Sequence, residues 1–341
     1  MQQVQPIREL SGEDAATIAP ALVNAGQPAV LRSVVSDWPA VRRARTSAGA
    51  LVEYLRSLDS GALVDAVMTP PERKGRIFYN EGMDGFNFLR NRLTLSAVAE
   101  QVLRYSLLAR SPAVAAQSAA VQDCIPGFLQ DHALPLLGPE ILPRIWLGNA
   151  LTTPTHLDEW CNIACVVAGR RRFTLFPPEQ VANLYVGPLD FAPTGAPVSL
   201  VDLDAPDFVR YPRFRQALAS AQVAELLPGD AIYIPPLWWH NVQSLETFNM
   251  LVNYWWHADG SVQGQRASGF DCLLHAILGL RDLPLEARAA WAALFAHYVF
   301  GPGEPVTAHI PAARHGMLGA LDAQQRAALR AELARRLDPP C

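Results

Sequence analysis

The sequence predicts an all-β core, a sandwich or barrel, with flanking helices. Short β-prone runs crowd between residues 144 and 256, at 163–167, 172–176, 231–234 and 249–256, separated by Gly, Pro and Asp/Asn breaks. They do not alternate with helical segments as βαβ units would. No Gly-x-Gly-x-x-Gly fingerprint or phosphate-cradling loop occurs, so a nucleotide-binding sheet has little support. After residue 257 the composition turns to alanine, leucine, glutamate and arginine, which are strong helix formers.

Along the chain, residues 8–26 read as a polar, alanine-rich helical start. Gly26-Gln27-Pro28 then feeds a β-branched run that Ser36-Asp37-Trp38-Pro39 ends. Residues 47–58 are periodic enough for a helix, and 62–68 read as a strand stopped by Thr69-Pro70-Pro71. A short strand is expected at 76–79, a helix at 94–108, a loop or weakly marked helix at 109–123, and a strand entering a turn at 144–149. Beyond the β-rich core, helices are expected within 261–279, 285–300 and 320–337. The last carries a stripe of Leu321, Gln325, Ala328, Leu329, Leu333 and Leu337, which suits packing on the domain or pairing with another subunit.

Half of the 341 residues are hydrophobic and 18% are charged, which excludes general disorder. A net charge of -4 offers no global argument for nucleic-acid binding, and no apolar run reaches membrane-spanning length. The N-terminus lacks the basic-then-apolar pattern of a signal peptide, so a soluble, cytoplasmic protein is expected. The five cysteines are scattered and odd in number. If 156–167 is one strand, Cys161 and Cys165 face away from His156 and Asp158, which favours reduced cysteines over metal ligands.

The chemistry concentrates in His156-Leu157-Asp158 and in Pro235-Pro236-Leu237-Trp238-Trp239-His240. In a strand, residues i and i+2 share a face, so His156 and Asp158 can address one metal, with His240 returned to it by the fold. Two imidazoles and one carboxylate are the ligand set of mononuclear non-haem Fe(II) oxygenases. The same donors also suit zinc, so ligand type alone leaves a zinc hydrolase open. Thr153 and Asn162 are expected near the metal. Arg171 can hold a carboxylate at two points, and Asn253 is a polar residue in an apolar strand, facing either the pocket or neighbouring backbone. Trp255 shares its face. The insert at 187–215 either covers the mouth of the site or forms a surface loop.

The segments 156–162, 169–178 and 228–240 together resemble the cupin-like, JmjC-related 2-oxoglutarate oxygenases. Within them the pattern is most like the group containing the asparaginyl hydroxylase that inhibits the hypoxia-inducible factor. The resemblance runs over about 144–257, with a weaker echo at 26–32 and 76–79. It implies a double-stranded β-helix (jelly roll) with a C-terminal helical extension. Residues 1–120 would form a mixed region packed on the barrel, 121–257 the catalytic core with strands borrowed from that region, and 258–341 a helical region suited to homodimerisation. It implies Fe(II) on His156, Asp158 and His240, with 2-oxoglutarate as co-substrate contacted by Thr153, Asn162 and Asn253. Arg171 stands where the family has a lysine for the distal carboxylate, and Tyr79, rather than Phe78, is matched to a family tyrosine that assists it. The implied reaction is hydroxylation of a protein or peptide side chain. A metal-dependent small-molecule oxygenase or isomerase, or a silent cupin-like binding protein, are the alternatives.

Overall fold

The computed structural model describes residues 5–10, 15–258, 268–301 and 306–337. The chain divides into two compact units, Met1–Ala267 and Ser268–Cys341. In the first, strands β1 (Gln5–Pro6) and β2 (Glu9–Leu10) precede helix α1 (Ala15–Ala25) and strand β3 (Ala29–Leu31). Pro39 opens α2 (Pro39–Thr46), where its missing N–H costs no hydrogen bond. The Ser47 hydroxyl accepts from Ala50 N at 3.0 Å and starts α3 (Ala48–Leu58). Strands β4 (Leu63–Thr69) and β5 (Leu89–Thr94) pair antiparallel, and Thr94 caps α4 (Leu95–Tyr105) by accepting from Ala97 N. Strand β6 (Ala113–Ala120) and the short helices α5 (Val121–Cys124) and α6 (Phe128–Asp131) complete the N-terminal half.

The core follows as β7 (Arg144–Gly148), β8 (Thr152–His156), β9 (Cys161–Ala168), β10 (Arg171–Phe176), α7 (Phe214–Ala219), β11 (Gln222–Leu226), β12 (Ala231–Ile234), β13 (Trp239–Ser244) and β14 (Asn249–Trp256). One sheet has the order β1-β11-β10-β13-β8, the other β2-β3-β12-β9-β14-β7-β6-β4-β5. From β7 to β14 the chain passes back and forth between the sheets, giving a double-stranded β-helix. The N-terminal half extends the larger sheet at both ends, with β2 and β3 on one side and β6, β4 and β5 on the other.

Strand parity divides the apolar residues. On β9, Cys161, Ile163, Cys165 and Val167 join an outer core with Leu51, Leu55, Val98 and Val102 of the helices. Ala164 and Val166 instead meet Phe173, Leu175 and Ile232 between the sheets. A central strand covered on both faces must be apolar throughout, and every residue of β9 is buried, Asn162 included. The two cysteines therefore face away from the inner cavity, though the strand that carries them is not the strand that carries His156.

Several expectations fail for physical reasons. Residues 109–123 contain a strand, β6, where alanine's helix propensity misleads. The strand forms because it packs closely on β7, where a Cβ on Gly148 would come within 2.7 Å of both Ala115 Cβ and Val114 O. Residues 76–79 make only isolated bridges, Arg76 with Thr152 and Tyr79 with Phe86. The expected single strand across 156–167 is two strands in different sheets, with Asp158 in the connection. Strands β5 and β11 were not anticipated, the first being largely exposed and rich in arginine.

The second unit contains α8 (Gly269–Leu280), α9 (Leu285–Tyr298) and α10 (Ala323–Leu337). The part of the expected 261–279 helix before residue 268 lies outside the described residues. A reciprocal capping pair starts α10: Asp322 Oδ1 accepts from Gln325 N, and Gln325 Oε1 accepts from Asp322 N. None of these three helices has a buried residue. No helix among the described residues is long and apolar enough to cross a membrane.

His132 tests the outer core. Its ring is 2% exposed, its Nε2 accepts from Ala40 N at 3.0 Å and its Nδ1 donates to Phe128 O at 2.8 Å. Both partners suit the neutral ring only, and burial pushes its pKa down to about 4. The unfolded imidazole titrates near ~6.5, so the stability is complete above that pH and is lost as pH falls toward the folded value. The stability advantage of the protein over His132→Asn should shrink by about 1–2 kcal/mol between pH 7 and pH 5, as read from urea melts.

Candidate metal centre and its cavity

The two histidines meet because β8 and β13 pair antiparallel with His156 opposite His240, their ring centroids 4.1 Å apart. Two residues further along β13, Val242 lies opposite Thr153, so three steps on β8 match two on β13. That extra residue is a β-bulge, and Pro154, which has no N–H for a ladder, lies within it. The bulge changes the parity of β8. Thr153 and His156, at an odd spacing, therefore line one cavity together with His240 and Val242.

Each imidazole is fixed by the backbone of its own strand. Nδ1 of His156 donates to Pro154 O at 2.8 Å, and Nδ1 of His240 donates to Trp238 O at 3.0 Å. Both Nε2 atoms are then left with their lone pairs as donors to a metal. Burial, and secondarily the neighbouring His156, hold the His240 pKa well below the usual histidine range, which keeps its ring neutral.

Asp158 is placed from the connection after β8. Its carbonyl accepts from Leu237 N at 2.8 Å, tying that connection to the turn before β13, where Leu237 has φ of +64°. Its Oδ2 accepts from Trp255 Nε1 at 3.1 Å and lies 3.6 Å from His240 Nε2. One donor atom from each of His156, Asp158 and His240 falls within a sphere of mutual distances of 4.8 Å. Two neutral imidazoles and one carboxylate at this spacing fit a divalent metal and leave several of its coordination positions open.

The same cavity takes in Asn162, Arg171, Asn253, Trp146 and Trp255, with Phe173, Ile234 and Leu251 as apolar walls. Asn253 Oδ1 accepts from Trp146 Nε1 at 2.9 Å, and its Nδ2 donates to Asn162 Oδ1 at 3.4 Å. Asn253 is thus satisfied by pocket side chains, not by neighbouring backbone. Arg171 is 7% exposed, and among the described residues its Nη2 reaches only Trp146 O at 3.5 Å and its Nε has no partner. Burial pushes the guanidinium pKa down to about 10. A buried cation with one long hydrogen bond is costly unless an anion joins it.

Tyr79 does not join these residues. Its hydroxyl donates to Phe191 O at 2.7 Å, and both it and Phe78 line a separate cavity. The hydroxyl that favoured Tyr79 over Phe78 is used to anchor the insert. No residue of 187–215 lines the triad cavity; the insert runs beside β8, where Ser199 N donates to Thr155 O, and packs Val201 and Phe214 against Phe176 and Trp239. Trp160 packs on His257 at 3.9 Å. Trp146 was missed, although its signal is present: within Arg144–Gly148 it alternates with Ile145 and Leu147, which enter the outer core.

A family model described as a cupin-like domain matches residues 15–261. Human HSPB1-associated protein 1 is 35% identical over 147 residues, 42% of this chain and 30% of that protein. The lysine-specific demethylase JMJ31 of Arabidopsis thaliana is 36% identical over 117 residues, 34% of this chain and 21% of its own length. The zebrafish (Danio rerio) tRNA wybutosine-synthesizing protein 5 is 36% identical over 102 residues, 30% of this chain and 28% of its own. The chain thus spans less than a third of the length of each of these relatives.

The Trp255 hydrogen bond sets an expectation. Trp255→Phe keeps an aromatic ring beside Trp146 but frees Asp158 Oδ2, and should weaken Mn(II) binding by about 10–100-fold in calorimetric titration. An unchanged affinity would show that Asp158 is oriented without the indole.

Proposed function

The chain belongs to the cupin-like domain family, and on that premise we propose that it is an Fe(II)- and 2-oxoglutarate-dependent dioxygenase that hydroxylates a protein or peptide side chain. The observation that carries this reading is Arg171. A zinc hydrolase would need only the three ligands, whereas a buried guanidinium without an acidic partner beside them calls for a carboxylate brought by a ligand.

In this reading His156, Asp158 and His240 hold the metal, and Arg171 binds the distal carboxylate of 2-oxoglutarate. Arg171 is longer and flatter than lysine and offers two parallel N–H donors, while its depressed pKa still leaves it charged at neutral pH. Thr153 and Asn162 contribute polar contacts to the co-substrate, and Asn253, fixed by Trp146, orients Asn162. The walls of Phe173, Ile234, Val242 and Leu251 exclude water from the cavity. When bound, Fe(II) with 2-oxoglutarate and dioxygen as oxidant would supply decarboxylation to succinate and carbon dioxide coupled to hydroxylation of a C–H bond, one oxygen atom going to succinate and the other to the hydroxylated product.

The motif pattern of the asparaginyl hydroxylase group supports a side chain of a protein as substrate. The names of the relatives widen the panel to methylated lysine and tRNA. Anaerobic addition of Fe(II) and 2-oxoglutarate should give a weak visible charge-transfer band, absent in His156→Ala. Succinate should form with the right member of a panel of peptides, methyl-lysine peptides and tRNA. Zinc-supported turnover without 2-oxoglutarate would overturn the reading. Arg171→Met should raise the melting temperature of the ligand-free protein and remove the further rise that 2-oxoglutarate gives the unaltered chain.

The helical unit supports a homodimer. Trp291, Leu294 and Phe300 are 44%, 46% and 74% exposed, and Leu333 of α10 is 45% exposed. Large apolar side chains left exposed on helices without a buried residue favour a partner that covers them. Light scattering should give twice the chain mass for the full chain and the single mass for Leu333→Glu or a chain ended at residue 316; equal masses would reject dimerisation through these helices.

A further inference from the structure

The space around the triad does not end at Arg171. Side chains alternate faces along a strand, so on β13 Ser244 shares the inward face of His240 and Val242. Ser244 is also the cross-strand partner of Arg171 on β10. The two side chains therefore stand beside each other, two inward positions beyond the ligand His240.

Against them lies a smaller cavity of about 20 Å³, next to the triad cavity of about 50 Å³. Trp146, Thr153 and Arg171 line both, so the guanidinium side chain is the partition between the two spaces. The smaller cavity stays open because Ala116 of β6, Gly148 of β7 and Ser244 contribute little bulk to its wall. No acidic residue lines it, so nothing there repels a carboxylate.

The wall is rigid and the partition is not. Strands β6 and β7 approach so closely at Gly148 that no Cβ fits there. Asn149 fastens the same edge, accepting from Val114 N at 2.9 Å and donating to Pro112 O at 2.9 Å. Arg171, by contrast, is held among the described residues by a single hydrogen bond of 3.5 Å, at the long limit for such bonds. Moving the guanidinium toward Ser244 gives up little.

We propose that the smaller cavity is an extension of the co-substrate site and that Ser244 sets its length, so that the chain accepts 2-oxoadipate, one methylene longer than 2-oxoglutarate. The inference rests on the reading of Arg171 as the receptor of the distal carboxylate. A cavity of about 20 Å³ has room for one water-sized group, which matches a displacement of one methylene and no more. A pocket with fixed walls rejects an extra methylene by about 1–3 kcal/mol. Here the wall that meets the carboxylate is a side chain able to retreat, and the Thr153 hydroxyl borders both positions. A β-branched residue at 244 suits the strand and would block the retreat.

The test is calorimetric titration of the full chain loaded with Mn(II). 2-Oxoadipate should bind within about tenfold of 2-oxoglutarate. 2-Oxohexanoate, equally long but without the distal carboxylate, should bind at least about tenfold more weakly than 2-oxoadipate. Ser244→Val should lower the ratio of 2-oxoadipate to 2-oxoglutarate affinity at least about tenfold, and Ser244→Thr, a smaller addition, should lower it less. A circular-dichroism melt shows that each variant is folded, and the comparison of the three acids on the unaltered chain needs neither variant. If 2-oxoadipate binds more than about tenfold below 2-oxoglutarate, the extension is overturned, the smaller cavity holds water only, and the co-substrate reading stands. Equal binding of 2-oxoadipate and 2-oxohexanoate, or an affinity ratio indifferent to both variants, would overturn it as well. Binding of neither dicarboxylate would overturn the co-substrate reading itself, and the extension with it.

Discussion

The pairing of β8 with β13 is the constraint on which the rest of the structure depends. Two strands in perfect register would place His156 inward and Thr153 outward, since side chains alternate faces. The single extra residue at Pro154 and Thr155 reverses that alternation halfway along a five-residue strand. Proline suits this position because it cannot donate to the ladder, and its carbonyl is used instead to fix the His156 tautomer. One irregularity thus sets ligand spacing, ligand tautomer and the polar residue beside the metal. It also decides which side chains are left for the outer face.

The inner cavity concentrates opposing electrostatic demands. Burial disfavours charge, so the His240 ring stays neutral and able to coordinate, which is what a metal requires. The same burial acts on Arg171, but a guanidinium whose pKa falls only to about 10 remains a cation at neutral pH. The interior therefore contains an unpaired positive charge alongside a carboxylate that a metal would claim. Such an arrangement is poor for stability and suited to ligands, one a cation at the triad and the other an anion at Arg171. Asn162, Asn253 and Trp146 carry no charge and hydrogen-bond one another in the same cavity, and the Trp146 carbonyl also accepts from Arg171.

Much of this was legible in the sequence. The β-rich run at 144–256 and its flanking helices follow from propensity and turn residues. His240 and Asn253 stand out as polar groups in apolar surroundings, His156, Asp158 and Asn162 by their even spacing, and Arg171 by its place after the Gly169 turn in the family pattern. What was illegible depends on contacts distant along the chain. Residues 113–120 look unlike a strand until Gly148 is seen beside them. Tyr79 looks like a pocket residue until Phe191, from an insert more than a hundred residues away, takes its hydroxyl. The parity argument for His156 and Asp158 reached a correct grouping through an incorrect element, since Asp158 follows the strand and is not part of it.

That last difference matters for how the carboxylate is held. A ligand on a strand inherits its position from the ladder, whereas Asp158 has no ladder and is fixed at two points. One is its carbonyl, bonded to Leu237 N in a turn where a non-glycine residue occupies the left-handed region. The other is its Oδ2, bonded to Trp255 on β14. A branched residue at positive φ costs of order 1–3 kcal/mol unless its surroundings impose it. Here the turn must place His240 on β13 and present an N–H to Asp158 in the same few residues. The strain at Leu237 is the consequence of meeting both demands, so two of the three ligands share one turn and move together if it relaxes.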